Sequence, residues 1–140
     1  MKNNKGFTLV ELLAVITVIG VILALATTAA VSTMNRGRKR AEKLSAKDYV
    51  TAVNDYNYIS NSSEKISTVN TNCTALSTNI IRCKIEGTNG LSVKIKDSVD
   101  GKLPKSGTVD INTTTYKVTS AKIKVKNYTV IYDNSKYKIK

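Results

Sequence analysis

The apolar residues of this chain are concentrated in one segment, residues 7–31, where 25 consecutive residues include a single charge, Glu11. As an α-helix this segment would extend about 37 Å at 1.5 Å per residue, which exceeds the roughly 30 Å of hydrocarbon in a bilayer. It has no polar face, so it needs lipid or other apolar helices on every side. The pattern predicts a helix over residues 7–31 that spans a membrane or packs among other helices.

Residues 32–59 continue the helix with a different pattern. Apolar residues recur there at spacings of three to five, which is typical of one buried helix face. They are Leu44, Tyr49, Ala52, Val53, Tyr56 and Ile59. The polar run at residues 60–63 favours an end of the helix after Ile59. We expect an amphipathic helix that lies on an apolar surface formed elsewhere in the chain.

The C-terminal part, residues 80–140, alternates apolar and polar residues in short runs between turn-forming residues, which predicts antiparallel β-strands. Residues 80–96 have the pattern of a hairpin with its turn at 87–90. A change in the parity of the alternation indicates a bulge or tight bend at 126–127. Residues 60–79, rich in Ser, Thr and Asn, are expected to form a loop. The predicted fold is α+β, a long N-terminal helix whose amphipathic half packs on a C-terminal antiparallel sheet.

Two cysteines, Cys73 and Cys83, lie beyond the apolar segment, with nine residues between them. An even number of cysteines in this position suggests a disulfide in an exported domain, which would stabilise the fold by about 3 kcal/mol in the chain-entropy model. Two reduced, buried thiols are the alternative. The spacing is not that of a C-x-x-C redox motif, and the chain has no histidine to complete a common zinc site.

The sequence contains no pattern that indicates catalysis. Histidine is absent, which removes the usual catalytic triad and the commonest metal ligand. Neither the Walker-type nor the dinucleotide-binding glycine pattern occurs. We therefore predict no catalytic residues, no metal site, no cofactor and no enzymatic activity.

The chain is strongly basic, with a net charge of +12 at pH 7. Many of the lysines alternate with apolar residues along the predicted strands, which favours a solvated surface. A basic surface also attracts anionic partners, so DNA and anionic surfaces are candidate partners. The seven tyrosines suggest a further hypothesis, in which phosphate contacts are combined with stacking on the bases.

The first six residues, MKNNKG, form a basic segment that precedes the apolar helix. An ordinary secretory signal peptide has its apolar region before the cleavage site, whereas here a glycine comes before the apolar region. A cut after Gly6 would leave the helix on the mature protein. A carboxylate near the middle of a membrane helix costs roughly 2.5–3.5 kcal/mol. Glu11 lies nearer the cytoplasmic end, where the cost is smaller, but an intramembrane charge still indicates a functional role, the alternative being a tolerated carboxylate that reaches the membrane surface. The new amino terminus, on Phe7, is a cation that would neutralise Glu11 of a neighbouring copy.

The run Lys5-Gly6-Phe7-Thr8-Leu9-Val10-Glu11-Leu12-Leu13 resembles the prepilin leader and the cleavage and methylation motif of type IV pilins and type II secretion pseudopilins. The resemblance implies that residues 1–6 are a leader and that a prepilin peptidase cuts after Gly6. It also implies N-methylation of Phe7 and docking of Glu11 to the amino terminus of a neighbouring subunit. Residues 7–31 would then be both the membrane anchor and the filament core.

The resemblance implies a structural subunit of a type IV pilus, with adhesion, motility and DNA uptake left open. Its partners would be copies of itself, the prepilin peptidase, an assembly ATPase, a membrane platform protein and the cytoplasmic membrane. The chain would be a single-pass membrane protein with its N-terminus inside before assembly, and part of an extracellular filament afterwards. Two alternatives are a pseudopilin of a type II secretion or competence system and a monomeric, membrane-anchored binding domain.

Two features depart from the family pattern. Many pilins have a proline in the apolar helix, but the corresponding region here, residues 26–28, has none, and Gly20 is the expected weak point instead. The apolar run is also followed closely by four cations, which outnumber Lys2 and Lys5 and by charge bias alone favour the opposite orientation. They are Arg36, Arg38, Lys39 and Arg40. We give precedence to the leader motif.

Overall fold

The structure is a computed structural model that describes residues 7–68, 71–99 and 103–140. One long helix, α1 (Leu9–Ile59), is followed by a region whose regular elements are mainly β-strands. The later elements are β1 (Cys73–Ser77), β2 (Ile80–Lys84), α2 (Leu91–Ile95), a 3₁₀ turn (Lys96–Ser98), β3 (Ser106–Asn112), β4 (Val118–Val125), β5 (Tyr128–Asp133) and β6 (Lys136–Ile139). This arrangement confirms the predicted α+β class.

The chain divides into two compact units, Met1–Arg38 and Lys39–Lys140. In the first unit, every described residue is exposed. Between Phe7 and Val31 these include fourteen large apolar side chains, among them Phe7 at 86% and Leu9 at 81% exposure. Burying each would be worth about 1.5–3 kcal/mol, or roughly 20–40 kcal/mol together, which exceeds the roughly 5–15 kcal/mol that stabilises a typical domain. This segment therefore needs apolar surroundings that the subunit itself does not provide.

Helix α1 is the one helix within the described residues that is long and apolar enough to cross a membrane. The few hydroxyl groups of its apolar part bond to carbonyl oxygens one turn earlier. Thr17 donates to Ala14 O at 2.8 Å and Thr27 donates to Ala24 O at 3.0 Å. Such internal bonds satisfy the hydroxyl groups without water, as a lipid environment requires.

In the second unit, one face of α1 is buried against the sheet. Tyr49 and Val53 are completely buried there, as the sequence pattern predicts. The predicted buried face is wrong at its first and last residues, because Leu44 is 58% exposed and Ile59 is 80% exposed. The buried residues of α1 begin at Glu42, and the apolar ones, from Ala46 onward, share one core with the inner side chains of the sheet. Those side chains include Ile81, Val109, Ile111, Ile123 and Val130.

The six strands form one antiparallel sheet in the order β1-β2-β3-β4-β5-β6, so each strand pairs with its neighbour in sequence. The bend predicted at 126–127 is the tight turn between β4 and β5, where Lys126 adopts a φ of 46°. The turn between β5 and β6 places Asn134 and Ser135 at φ values of 45° and 65°. The alternation of side chains gives the sheet a core face and a solvent face.

The predicted hairpin over residues 80–96 is wrong. Residues 91–95 form the short helix α2, in which Leu91 and Ile95 are fully buried while Val93 is half-exposed. A strand would have placed all three on one face, whereas one helical turn brings only residues i and i+4 together. Strand β2 pairs instead with β1, which lies within the segment 60–79 that the sequence pattern assigns to a loop.

Candidate functional site

The N-terminus of α1 is fixed by reciprocal hydrogen bonds between Thr8 and Glu11. The Leu12 N–H donates to Thr8 O at 3.2 Å, which makes Thr8 the N-cap of the helix. The Glu11 N–H donates to Thr8 Oγ1 at 3.3 Å, and the Thr8 N–H donates to Glu11 Oε2 at 2.9 Å. The Thr8 hydroxyl also donates to Glu11 Oε2, at 2.9 Å. This arrangement is a capping box.

The capping box explains why a glutamate occurs at this position within a single subunit. A threonine followed three residues later by a glutamate satisfies two backbone N–H groups that would otherwise have no partner at the helix end. The Thr-x-x-Glu spacing, which the sequence contains at residues 8–11, is the usual sequence pattern of a capping box. The charge of Glu11 by itself indicates a favourable position near the positive end of the helix dipole and a contact between subunits, but it does not indicate the bonds to Thr8.

Among the described residues, none donates a hydrogen bond to Oε1 of Glu11. Both hydrogen bonds from Thr8 reach Oε2, so Oε1 remains to accept another donor. No cation in the described part of the chain lies within ion-pair distance of Glu11; the two ion pairs found there are Arg82–Asp110 and Lys126–Glu42. Glu11 is therefore an exposed anion among exposed apolar side chains, oriented by its own helix.

Two residues are predicted to take part in processing, Gly6 and Phe7. Phe7 is 86% exposed and directly precedes Thr8, the N-cap of α1. Gly6, with the rest of the leader, lies outside the described residues. The scissile role of Gly6, the methylation of Phe7 and the docking role of Glu11 all stay predictions.

Cys73 and Cys83 are joined by a disulfide in the structure. The two residues lie directly opposite each other in the β1–β2 register, with their Cα atoms 4.0 Å apart. Cys73 is the only residue of β1 that is buried. The disulfide therefore attaches an otherwise exposed edge strand to the core.

The solvent face of the sheet carries a polar network centred on Asp110. Arg82 donates to both carboxylate oxygens of Asp110, at 2.7 and 2.8 Å, and Ser120 Oγ donates to Oδ2 at 2.7 Å. Burial alone would raise the pKa of Asp110, but the hydrogen bonds from Arg82 and Ser120 outweigh it and hold the pKa below its usual value. The network joins three adjacent strands and offers no uncompensated charge.

Two asparagines near the end of α1 fix the loops beside it. Asn57 is fully buried; its Oδ1 accepts from the Ile66 N–H at 3.1 Å and its Nδ2 donates to Tyr116 O at 3.3 Å. Asn54 Oδ1 accepts from the Val118 N–H at 2.8 Å. A cavity of about 360 Å³ lies next to these residues, and Lys65 Nζ covers one of its walls, 3.9 Å from the ring centre of Tyr116. Sequence patterns gave no indication of these contacts.

Within the described ranges, no three His, Cys, Asp or Glu side chains form a cluster that would hold a metal ion.

Comparison with known proteins gives one match. Residues 1–27 match the model of the prokaryotic N-terminal methylation motif, which is the signature of type IV pilins and their precursors. No curated protein and no solved structure matches the chain. The match confirms the resemblance found in the sequence, and it covers the capping box and most of the exposed apolar segment.

The methylation motif and the apolar helix together fit anchoring in a membrane. The signature is that of structural, pilin-type proteins. Residues 1–27 therefore carry the N-terminal signature that type IV pilins and pseudopilins share, which supports a pilin-like protein.

Proposed function

We propose that the chain is a structural subunit of a type IV pilus that polymerises through its N-terminal helix. A prepilin peptidase removes residues 1–6, and the new terminus on Phe7 is methylated. An assembly ATPase and a membrane platform protein then drive the subunit from the cytoplasmic membrane, where its N-terminus faces inside, into an extracellular filament.

One observation carries this proposal: the apolar part of α1 is exposed on every face. Fourteen large apolar side chains between Phe7 and Val31 have no partner within the described subunit. Lipid would cover them before assembly, and the same segments of other copies would cover them in a filament. A helix that served only as an anchor would use Glu11 as a cap and would need no cationic partner for it.

Glu11 supplies the second part of the argument. Thr8 already fixes the carboxylate through Oε2, so the side chain is held in place before any neighbour arrives. Cleavage after Gly6 creates an amino group on Phe7, and Oε1 of a neighbouring Glu11 is available to accept it. In surroundings of low dielectric such a pair is far stronger than in water and sets the axial position of one helix against the next.

The first test is mass spectrometry of the N-terminus of the protein purified from its native membrane. We expect a chain that begins at Phe7 and carries an additional methyl group on its amine. Recovery of a chain that still contains Met1 to Gly6 would overturn the proposal.

The second test compares filaments sheared from cells that express Glu11→Gln, Glu11→Leu or the wild type. Gln retains the capping box, because its side-chain oxygen still accepts from the Thr8 N–H, but it removes the charge. Leu removes both. If the pairing with an amino terminus drives assembly, we expect both variants to yield less than a tenth of the wild-type filaments.

The matched control is Glu64→Gln, which neutralises an exposed acid outside the helix and should leave the yield unchanged. If Glu11→Gln assembles normally while Glu11→Leu does not, Glu11 acts only as a cap. If both assemble normally, the proposed docking is wrong. Electron microscopy of the sheared material then separates long pili from the short filaments of a pseudopilin.

A further inference from the structure

The solvent face of the sheet carries six exposed lysines, which we name the lysine face: Lys84, Lys122, Lys124, Lys136, Lys138 and Lys140. Directly paired residues of an antiparallel sheet project from the same side. The register pairs Lys84 with Thr108, Thr108 with Lys122, Lys122 with Ile131, and Ile131 with Lys138. Three of the lysines therefore lie in one row that crosses five strands.

The remaining lysines flank this row. Lys124 pairs with Thr129, which in turn exchanges backbone hydrogen bonds with Lys140 at 3.0 and 2.8 Å. Lys136 pairs with Asp133 on the other side of the row. At about 4.8 Å between strands and about 6.7 Å between alternate residues of a strand, the lysine face extends roughly 19 Å across the sheet.

Little negative charge offsets these lysines. Within the described strands, the acids on this face are Asp110 and Asp133. Asp110 is already bonded to Arg82, and Asp133 is not within ion-pair distance of Lys136. No acid in the described ranges forms an ion pair with any of the six lysines; the pairs found there involve other residues.

The three strand tyrosines, Tyr128, Tyr132 and Tyr137, do not share this face, so they offer no stacking surface beside the lysines. Tyr132 and Tyr137 pair with each other on the core face, with ring centres 4.7 Å apart. Tyr49 is fully buried. The described strand residues on the lysine face are Lys, Thr, Ser, Arg, Asp, Asn and Ile. They provide point charges and hydroxyl groups, and no aromatic platform for single-stranded bases.

We propose that the lysine face binds the phosphate backbone of duplex DNA, without reading its sequence. Duplex DNA is a stiff polyanion with about one charge per 1.7 Å of axis, so it presents many phosphates to a face of this width. A flexible phosphate polymer loses more conformational freedom on the same surface. A lipid surface would favour exposed aromatic or apolar residues, whereas the two isoleucines at paired positions of this face, Ile80 and Ile131, are both half-buried.

The test measures binding of a fluorescent 30-base-pair duplex to the full chain in non-ionic detergent, by anisotropy, from 50 to 300 mM salt. We expect log K to fall linearly with log salt. The triple variant Lys122→Gln/Lys124→Gln/Lys138→Gln should bind at least tenfold more weakly at about 100 mM salt, with a slope smaller by about 3, since each phosphate contact contributes about 0.9.

The control removes the same net charge elsewhere, at exposed lysines outside the lysine face: Lys43→Gln/Lys96→Gln/Lys117→Gln. It should retain wild-type affinity within about threefold and the wild-type slope. Thermal unfolding of all three proteins checks that the fold is unchanged. The measurement does not require filaments, so its result is independent of the proposed function.

Three results would overturn the proposal. The first is equal weakening in both triple variants, which would mean that net charge alone drives binding. The second is no binding of the duplex by the wild type at 50 mM salt, or binding insensitive to salt. The third is binding of phosphatidylglycerol vesicles or of a glycerol phosphate polymer without binding of DNA, which would assign the lysine face to another partner.

Discussion

Glu11 has one role that the structure shows, as part of the helix cap, and a second role that we propose, in docking to another copy. Its bonds to Thr8 are local and form within one subunit, whereas the predicted bond to an amino terminus requires a second copy. The two roles are compatible because a carboxylate accepts several hydrogen bonds. The local role also explains why the charge is tolerated near the start of an apolar helix, where an anion is favoured by the helix dipole.

Asp110 leads to a prediction about pH. Its pKa is lower in the folded protein than in the unfolded chain, so its network stabilises the fold above the unfolded pKa. That stability is lost as the pH falls from about 4 through the folded pKa. Because Arg82 is half-exposed, we expect a loss of only about 1 kcal/mol from this network.

The measurement is urea unfolding of the wild type and Asp110→Asn at pH 7 and pH 3. The free energy of unfolding of the variant should change less between the two pH values. Asp133→Asn, an exposed acid on the same face, serves as the control and should follow the wild type. Equal acid sensitivity of the wild type and Asp110→Asn would show that the network does not stabilise the fold.

At the scale of elements, the junction between α1 and the loops depends on Asn57. A side chain that is fully buried and bonds to two backbone groups is difficult to replace. Asn57→Ala would leave the Ile66 N–H without its acceptor and the Tyr116 carbonyl oxygen without its donor, at about 1–3 kcal/mol for each buried group. We expect a loss of about 2–4 kcal/mol.

For a unit of about 100 residues, each kcal/mol lowers Tm by about 4–8 °C, so Asn57→Ala should lower Tm by at least 8 °C. Asn61→Ala is the control. Asn61 is exposed and lies four residues later in sequence, beyond the end of α1, so this substitution should change Tm by less than about 2 °C. A Tm for Asn57→Ala within 3 °C of the wild type would contradict the assigned role.

The sequence predicted those elements that have a regular period and failed where short segments fit two periods. The apolar segment 7–31 is unambiguous because its length exceeds that of any ordinary strand. Residues 91–95 were misread because Leu91, Val93 and Ile95 satisfy both alternation and, at their ends, helical spacing. Strand β1 has one buried residue, so no alternation marks it, and its pairing with β2 is not a local property.

At the N-terminus, the motif predicts which residues take part in processing and docking. It does not predict their geometry. The sequence indicates that Glu11 is unusual because it is the single charge of an apolar segment. Its orientation by Thr8 depends on where the helix begins, and helix ends are difficult to place from sequence. The lysine face likewise required the strand register, since alternation alone does not tell which strands are neighbours.

At the scale of the whole molecule, the two compact units differ in whether they bury their own apolar side chains. The core cluster, with the partly buried residues packed against it, is drawn from residues between Ala46 and Ile139, whereas residues 7–38 of the first unit are all exposed. The second unit contains the disulfide and both ion pairs of the described chain. Its stability should therefore not depend on the apolar segment.

We predict that a fragment of residues 39–140 folds alone, because every contact of its core is retained. It should be monomeric without detergent and should unfold cooperatively, with a Tm within about 5 °C of that of the full chain in non-ionic detergent. Val53→Asp in the same fragment, which places a charge in the core, is the control and should abolish the transition. A fragment that aggregates or lacks a cooperative transition, while the full chain unfolds cooperatively, would mean that residues 1–38 stabilise the core. The second unit could then no longer be treated as a separate fold attached to an assembly helix.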